Sequence, residues 1–97
     1  MAEALFLGGA EEDYTDALNW YLQRSPQAAA GFEAAVEVAL QRIEAAPESF
    51  PIGDKRHRYY NLRRYPDSIL YRILPDKIMI AALAHSSRDP GYWHHRA

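Results

Sequence analysis

Ninety-seven residues are enough for one folded domain and too few for two, so we treat residues 1–97 as a single domain. Apolar residues make up 48% of the chain and charged residues 25%, a balance that excludes an intrinsically disordered protein, and the lack of cysteine excludes disulfides and thiolate metal sites. The net charge of −2 divides unevenly, because residues 1–50 carry a net charge of −7 and residues 51–97 a net charge of +5.

The uneven charge has two interpretations. Either the positive half faces an anionic partner, or the two halves attract each other across the fold. The first residues contain no basic segment followed by an apolar run, and no stretch approaches the ~18 apolar residues of a membrane span. We therefore expect a cytoplasmic protein that makes no membrane contact.

The first half of the chain predicts one short strand and two helices. Residues 2–7 are mostly apolar and end at two glycines, which is typical of a strand followed by a turn. The helical spacing of apolar side chains then predicts a first helix through Ala10, Tyr14, Ala17, Leu18 and Tyr21. Ser25 and Pro26 supply an N-cap and a first-turn proline for a second helix, which Pro47 ends. So short a connection predicts an antiparallel helical hairpin.

The second half of the chain predicts three strands. Residues 56–64 (RHRYYNLRR) form a basic and aromatic strand, residues 68–74 (SILYRIL) alternate as a strand should, and residues 77–85 (KIMIAALAH) form the last strand. Turns are expected at residues 65–67 and at Pro75-Asp76. The predicted order is β-α-α-β-β-β, which indicates an α+β fold whose antiparallel-leaning sheet carries the helical hairpin on one face.

The C-terminal segment HSSRDPGYWHHR concentrates residues that could carry chemistry. The His85 imidazole could act as a general acid or base, and the Arg88 guanidinium could stabilise charge on a phosphate. Tyr92 could transfer a proton, and Trp93 could stack on a nucleobase. A metal-free ribonuclease would need these groups. Alternatively, Tyr92 and Trp93 anchor the tail to the core while Arg88 pairs with a carboxylate, and both interpretations can hold at once.

A second cluster combines positive charge with aromatic rings. Its basic-type members are Lys55, Arg56, His57, Arg58, Arg63 and Arg64, interleaved with Tyr59 and Tyr60. This pattern suits a nucleic-acid backbone or an acidic protein partner, but a solvated sheet edge blunted by charge has the same composition. Arg72, within an otherwise apolar strand, either faces solvent or presents its charge in a binding groove.

The adjacent histidines His94 and His95 are a weak indication of a metal site. Neighbouring residues on an irregular tail seldom bind one ion together, and no cysteine or carboxylate spacing supports such a site. We predict no metal and no cofactor.

Several segments together resemble the RelE/ParE toxin superfamily. The segment from residue 10 to residue 51 is similar to its helical hairpin, with the aromatic pair Trp20-Tyr21 closing the first helix and the second ending in I-x-x-x-P from Ile43 to Pro47. The segment LRRYPDSILYRILPDKIMIAALAHSSRDPGYW resembles the family's R-x-F-P-Y-x-I-x-Y-R strand and its terminal strand ending in H-x-x-R-D-P.

The resemblance implies a growth-inhibiting toxin of a type II toxin–antitoxin system, of the kind used in plasmid stabilization, neutralised by a cognate antitoxin. Members of the superfamily act in two ways. RelE-like toxins are metal-independent endoribonucleases that cleave messenger RNA on the ribosome, whereas ParE-like toxins inhibit DNA gyrase and are not enzymes. We expect either a homodimer or a toxin–antitoxin hetero-oligomer.

The RelE-type site carries over only in part. Arg88 matches the arginine after the last strand, Tyr92 corresponds to a C-terminal tyrosine at a different spacing, and residues 55, 56 and 58 correspond to basic residues of the second strand. The arginine that RelE places at the start of the third strand falls on Ser68 here, and Arg72 lies four positions further on. RelE-like nucleases are also strongly basic, unlike this chain.

Three hypotheses follow from these observations. The first, which the H-S-S-R-D ending favours slightly, is ParE-like inhibition of DNA gyrase. The second is a RelE-like nuclease that uses Arg88 with Tyr92 or His85. For either, we expect the target surface to comprise Lys55, Arg56, Arg58, Arg63, Arg72, Arg88 and Trp93. The third is a non-toxic binding domain that shares only the fold.

Overall fold

A computed structural model describes residues 2–87, 92, 93 and 96. Its elements follow the predicted order. They are β1 (Ala4–Phe6), α1 (Gly8–Arg24), α2 (Pro26–Ala45), one 3-10 turn (Pro47–Ser49), β2 (Arg58–Asn61), β3 (Asp67–Ile73) and β4 (Ile78–His85).

The four strands form one mixed sheet in the order β1-β4-β3-β2. β1 runs parallel to β4, and the β4–β3 and β3–β2 pairs are antiparallel. The antiparallel-leaning α+β architecture predicted from the sequence is therefore confirmed. None of the helices in the described part of the chain combines the length and the apolarity that crossing a membrane requires.

The helical hairpin turns at a single residue. The Ser25 amide donates to the Tyr21 carbonyl at the end of α1, and the Ser25 hydroxyl accepts a hydrogen bond from the Ala28 amide at the start of α2. Pro26 occupies the first turn of α2, where its missing N–H costs nothing. One serine thus closes the first helix and caps the second, as the sequence indicates.

The core lies between the hairpin and one face of the sheet. The apolar stripe of α2 is buried there and comprises Ala29, Phe32, Val36, Ala39 and Ile43. It packs in one cluster with side chains of β3 and β4, including Ile69, Tyr71, Ile78 and Ile80. A smaller cluster covers the opposite face of the sheet, where Leu70, Ala82 and Ala84 pack with Tyr59, Tyr92 and Trp93. The tail aromatics therefore shield the sheet face that the helices leave open.

β2 is shorter than the strand predicted over residues 56–64. It spans Arg58–Asn61, because turns form on both sides of it. The Asp54 carboxylate accepts the backbone N–H groups of Arg56 and His57, each at 2.7 Å, which holds that segment in a turn. After the strand, Arg64 has a left-handed backbone with φ of 68°.

A register shift interrupts the pairing of β3 with β4. Leu70 pairs with Ala82 and Tyr71 with Ile80, so Ala81 has no partner in the ladder. A bulged residue reverses the in-and-out alternation of the strand that contains it. Ile78 and Ile80 accordingly join the main core before the bulge, and Leu83 joins it after. No short-range pattern in the sequence indicates this bulge.

Candidate functional site

Positive charge lies at the two ends of the edge strand β2. Lys55 and Arg56 are exposed in the turn before β2, and Arg63 and Arg64 are exposed in the turn after it. The Arg58 guanidinium is turned back onto the protein, where it donates to the Glu48 carbonyl at 3.1 Å and the Phe50 carbonyl at 2.8 Å. The predicted basic cluster is thus divided between two turns, and the Arg58 guanidinium is engaged in holding the loop before β2.

His57, in the middle of that basic cluster, is a buried residue with 2% of its surface exposed. Its Nδ1 lies 3.1 Å from the Asp54 carboxylate. Burial raises the pKa of Asp54, but hydrogen bonds from the amides of Arg56 and His57 outweigh that effect and leave the pKa below its usual value. The histidine therefore belongs to the packing of the turn and is not displayed to a partner.

Arg72 and Ser68 lie on β3. Arg72 is half-buried and pairs with Met79 of β4. The Ser68 hydroxyl donates a short hydrogen bond to the Asn61 side chain across the β2–β3 pair. Ser68 therefore forms a neutral cross-strand contact, at the position to which the resemblance assigns the arginine of a RelE-type site.

His85 ends β4 beside a cavity of about 300 Å³, which also contacts Trp20, Tyr21, Asp67 and Ser87. The His85 Nδ1 lies 3.0 Å from the Ser87 amide nitrogen and 2.7 Å from the Ser87 hydroxyl. A backbone N–H can only donate, so Nδ1 must be the acceptor and the neutral ring carries its proton on Nε2. This contact leaves the neutral ring without a lone pair for a substrate.

Asp67 lines the same cavity and is 3% exposed. It accepts a hydrogen bond of 2.7 Å from the Tyr21 hydroxyl. Burial raises the pKa of Asp67, while the Tyr21 hydrogen bond and the nearby His85 act in the opposite direction without cancelling it. Burial and the same hydrogen bond also raise the pKa of Tyr21. The pair joins α1 to the start of β3.

The described part of the tail is attached to α1 through one carboxylate. Asp13 Oδ2 accepts hydrogen bonds from the Leu83 amide at 3.1 Å, the Tyr92 hydroxyl at 3.0 Å and the Arg96 guanidinium at 2.8 Å. The hydrogen bond from Arg96 to Asp13 raises the pKa of Arg96 above its usual value. Tyr92 and Arg96 also lie close to the backbone of β4, at the Leu83 and Ala81 carbonyls respectively.

Asp13 was not among the predicted site residues. In the sequence it is one of several acidic residues in the first turns of α1, yet it lies three residues after Ala10 and four before Ala17, on the buried side of the helix. A carboxylate at an apolar position of an amphipathic helix is the signal that could have identified it, because a buried charge requires partners. Arg88, His94 and His95 lie outside the described residues. Within the described ranges, no three histidine or acidic side chains converge as a metal site would require.

A groove of about 660 Å³ runs between β1 and the two helices. Apolar side chains form part of its wall, including Phe6, Tyr14, Val36 and Leu40, and the acidic side chains along it are Glu11, Glu33 and Glu37. The outer edge of β1 borders the groove and carries one side-chain contact, from the Ala4 amide to Glu44 at 2.7 Å. The groove thus combines an apolar wall with negative charge.

Comparison with known proteins gives consistent matches. The family described as "ParE toxin of type II toxin-antitoxin system, parDE" matches residues 5–90. Toxin RelE3 of Caulobacter vibrioides is 29% identical over 82 residues, which cover 79% of this chain and 86% of the relative. Toxin ParE2 of Mycobacterium tuberculosis is 29% identical over 83 residues, which cover 84% of this chain and 79% of the relative.

A solved structure has the same fold. A chain from the chromosomal ParDE TA system of P. aeruginosa superposes with a TM-score of 0.69 at 16% identity, and the match covers 88% of this chain and 96% of the other. At that identity the likeness concerns the fold alone. The sequence matches and the shared fold agree with the expectation drawn from the helical hairpin and the terminal strands.

Proposed function

Because the chain belongs to the ParE toxin family of type II toxin–antitoxin systems, we propose that it arrests growth by binding DNA gyrase, in the ParE-like mode, without acting as a nuclease. The observation that carries this proposal is the state of His85. The Ser87 amide donates a hydrogen bond to His85 Nδ1, which uses the one lone pair of the neutral ring. While this contact holds, the ring cannot accept a proton from a ribose hydroxyl.

Tyr92 supports the same interpretation. Its hydroxyl lies 3.0 Å from Asp13 Oδ2 and 3.1 Å from the Leu83 carbonyl, so both neighbours are acceptors for its single proton. Transfer of that proton to a leaving group would disrupt the attachment of the tail to α1. The hydroxyl therefore suits a structural role.

Ser68 is the third supporting observation. A nuclease that cleaves by attack of a 2′-hydroxyl must stabilise negative charge on phosphate, and preformed cations are the usual means. The Ser68 hydroxyl is a neutral group that donates to Asn61 on the neighbouring strand. An inhibitor that binds a protein target needs no cation at this position.

RelE-like cleavage of messenger RNA remains the second candidate, because one relative bears the name RelE3. In that case the exposed Lys55 and Arg56 would contact the RNA backbone, and Arg88 would stabilise the phosphate. The two candidates share the target surface predicted from the sequence, which comprises Lys55, Arg56, Arg58, Arg63, Arg72, Arg88 and Trp93. Of these, Arg58 would contribute mainly by holding the loop before β2. The two candidates differ in the need for proton transfer.

Induced expression of the chain distinguishes the two candidates. We expect growth arrest, induction of the DNA-damage response and intact messages, and inhibition of supercoiling by purified gyrase. His85→Gln should retain this activity, because the proposal gives the His85 proton no role. Cleaved messages with unaffected gyrase would reject the gyrase proposal. Normal growth without an antitoxin would contradict both candidates and favour a non-toxic binding domain.

We also propose that a cognate antitoxin neutralises the chain in a hetero-oligomer, because the P. aeruginosa chain that shares its fold comes from a ParDE TA system. The groove between β1, α1 and α2 suits an antitoxin segment with apolar side chains facing Val36 and Leu40, and basic side chains facing Glu33 and Glu37. The exposed cations around β2 suit acidic side chains of the same partner.

The protein encoded by the neighbouring gene is the natural probe for this interface. Glu37→Lys reverses an exposed charge in the groove, and we expect it to weaken antitoxin binding about tenfold. Glu48→Lys, an exposed charge reversal in the 3-10 turn outside the groove, is the control. Equal affinities for the two variants would contradict the groove assignment.

A further inference from the structure

We propose that Asp13 is a positioning residue that holds the tail residues Tyr92 and Arg96 against the open edge of β4, and that these residues with Trp93, held in this place, are part of the surface that contacts gyrase. The first half of this inference concerns the chain alone. The second half rests on the proposed function, the inhibition of gyrase.

The open edge of β4 begins where β1 stops. β1 pairs only with Ile78, Met79 and Ile80, and the bulge at Ala81 follows immediately. Beyond that point the Ala81 carbonyl accepts from Arg96, the Leu83 amide donates to Asp13, and the Leu83 carbonyl lies 3.1 Å from the Tyr92 hydroxyl. Side chains therefore take the place of a neighbouring strand there. An unpaired strand edge attracts other chains, so proteins usually cover it.

Asp13 and the tail supply that cover together. The Asp13 carboxylate accepts a hydrogen bond from the Leu83 amide. The Tyr92 side chain lies at the Leu83 carbonyl, and the Arg96 side chain lies at the Ala81 carbonyl. The same carboxylate oxygen holds both tail side chains. Asp13 is therefore the only residue among those described that binds the edge and both tail side chains at once.

The charge of Asp13 makes its contact with the tail depend on the positive charge of Arg96. Asp13 is 6% exposed, and a buried carboxylate is stable only when it is hydrogen-bonded and compensated by a positive group. Arg96 supplies the compensating charge at 2.8 Å, with its own side chain 18% exposed. Release of Arg96 would remove the compensating cation from Asp13, so the helix and the tail residue are energetically coupled.

Trp93 and Tyr92 connect this anchor to the outer face of the sheet. Their rings form an edge-to-face pair with centroids 5.3 Å apart, and both pack against Leu70, Ala82 and Ala84. The Arg96 amide donates to the Trp93 carbonyl at 2.8 Å, which links the two anchor points directly. A change at Asp13 should therefore reach Trp93, the aromatic residue predicted to contact the target.

Trp93 fluorescence tests the first half of the proposal. In a Trp20→Phe background Trp93 is the only tryptophan, and we expect Asp13→Asn to move its emission to longer wavelength while the far-ultraviolet circular dichroism is unchanged. Asp16→Asn, an exposed carboxylate on the same helix, should leave the emission in place. Unchanged Trp93 emission in Asp13→Asn would overturn the proposal.

Variants on the tail keep the test decisive if Asp13→Asn fails to fold. Arg96→Gln removes the charge that compensates Asp13 and should shift the emission, whereas Arg96→Lys retains that charge and should restore much of the wild-type signal. A purely steric role for Arg96 would give the same shift in both variants, and that result would contradict the inference.

Growth arrest on induced expression tests the second half, and inhibition of purified gyrase is measured beside it. We expect about tenfold more toxin to be needed for arrest by Asp13→Asn and Arg96→Gln, the factor that loss of one charge-assisted hydrogen bond would give. Released tails with undiminished arrest would overturn the role in target binding. Failure of the wild-type chain to inhibit gyrase, with arrest still dependent on Asp13, would reject only the proposed target.

Discussion

The Arg96 guanidinium lies where a side chain at Gly9 would be, at the start of α1. A Cβ atom built on Gly9 would lie 2.7 Å from both Cζ and Nε of Arg96, closer than side chains approach one another. The absence of a side chain at Gly9 therefore gives the guanidinium room to reach Asp13 and the Ala81 carbonyl. The glycine serves the position of the Arg96 guanidinium, since it lies within the first turn of a helix in which other residues would be favoured.

Gly9→Ala should displace Arg96 without unfolding the protein. Alanine favours the helix over glycine by about 0.5–1 kcal/mol, which offsets part of the lost contact with Asp13. We expect a melting temperature within a few degrees of wild type, together with red-shifted Trp93 emission in the Trp20→Phe background. Gly8→Ala is the matched control, because the space around Gly8 is open. Equal Trp93 emission in the two variants would show that Gly9 does not serve Arg96.

Gly31, in the second turn of α2, leaves space for the Tyr65 side chain in the same way. A Cβ at Gly31 would collide with the Tyr65 hydroxyl, which donates to the Ala28 carbonyl at 2.9 Å. We expect Gly31→Ala to destabilise the fold by up to about 1 kcal/mol, because displacing Tyr65 from its packing and its hydrogen bond costs about 1–2 kcal/mol and the helix gain of alanine offsets only about 0.5–1 kcal/mol of it. In a Tyr65→Phe background the collision is absent, and the same change should stabilise by roughly 0.5–1 kcal/mol. Denaturant unfolding of the four proteins measures both signs, and additive effects would contradict the shared space.

The sequence was sufficient for those parts of the fold that depend on local signals. The apolar spacing of α2, the Ser25-Pro26 cap and the alternation of β3 each lie within a few residues. The structure confirms all three, since Ile69 and Tyr71 of β3 join the main core while Leu70 packs in the cluster on the other face. The ends of β2 and the bulge at Ala81 were not predictable in this way. They depend on the Asp54 turn and on the pairing of β4 with two different strands, which no short segment encodes.

The candidate site was predictable in residue type more than in role. The sequence indicates two roles for Tyr92 and Trp93, contact with a target or anchoring of the tail, and the structure contains the anchoring contacts. The role of Asp13 was missed because it becomes visible only when residues 13, 83, 92 and 96 meet. Contacts across about 80 positions of chain are set by the tertiary fold and not by local spacing.

Asp67 should make the protein less stable as the pH rises. Burial raises the pKa of Asp67 in the folded state, so the folded protein binds this proton more tightly than the unfolded chain. Stability contributed by the protonated form is present at low pH and is lost as the pH rises through the unfolded and then the folded pKa. Asp67→Asn cannot ionise and still offers an oxygen to the Tyr21 hydroxyl. We expect the melting temperature of Asp67→Asn to improve relative to wild type between about pH 4 and pH 7. A difference that does not change with pH would refute this coupling.

Asp54 should have the opposite dependence on pH, because hydrogen bonds from the Arg56 and His57 amides, acting against burial, lower its pKa in the folded state. Its ionised form is favoured by folding, so the stability it contributes is present above the unfolded pKa and is lost as the pH falls through the folded pKa. We expect Asp54→Asn to cost roughly 1 kcal/mol near neutral pH, since the amide oxygen accepts weaker hydrogen bonds than the carboxylate. That cost should shrink below about pH 4.

Asp76→Asn, in the exposed turn before β4, is the matched control. Thermal unfolding across this range decides the matter, and a cost that grows on acidification would mean that the Asp54 turn is not held by the carboxylate charge.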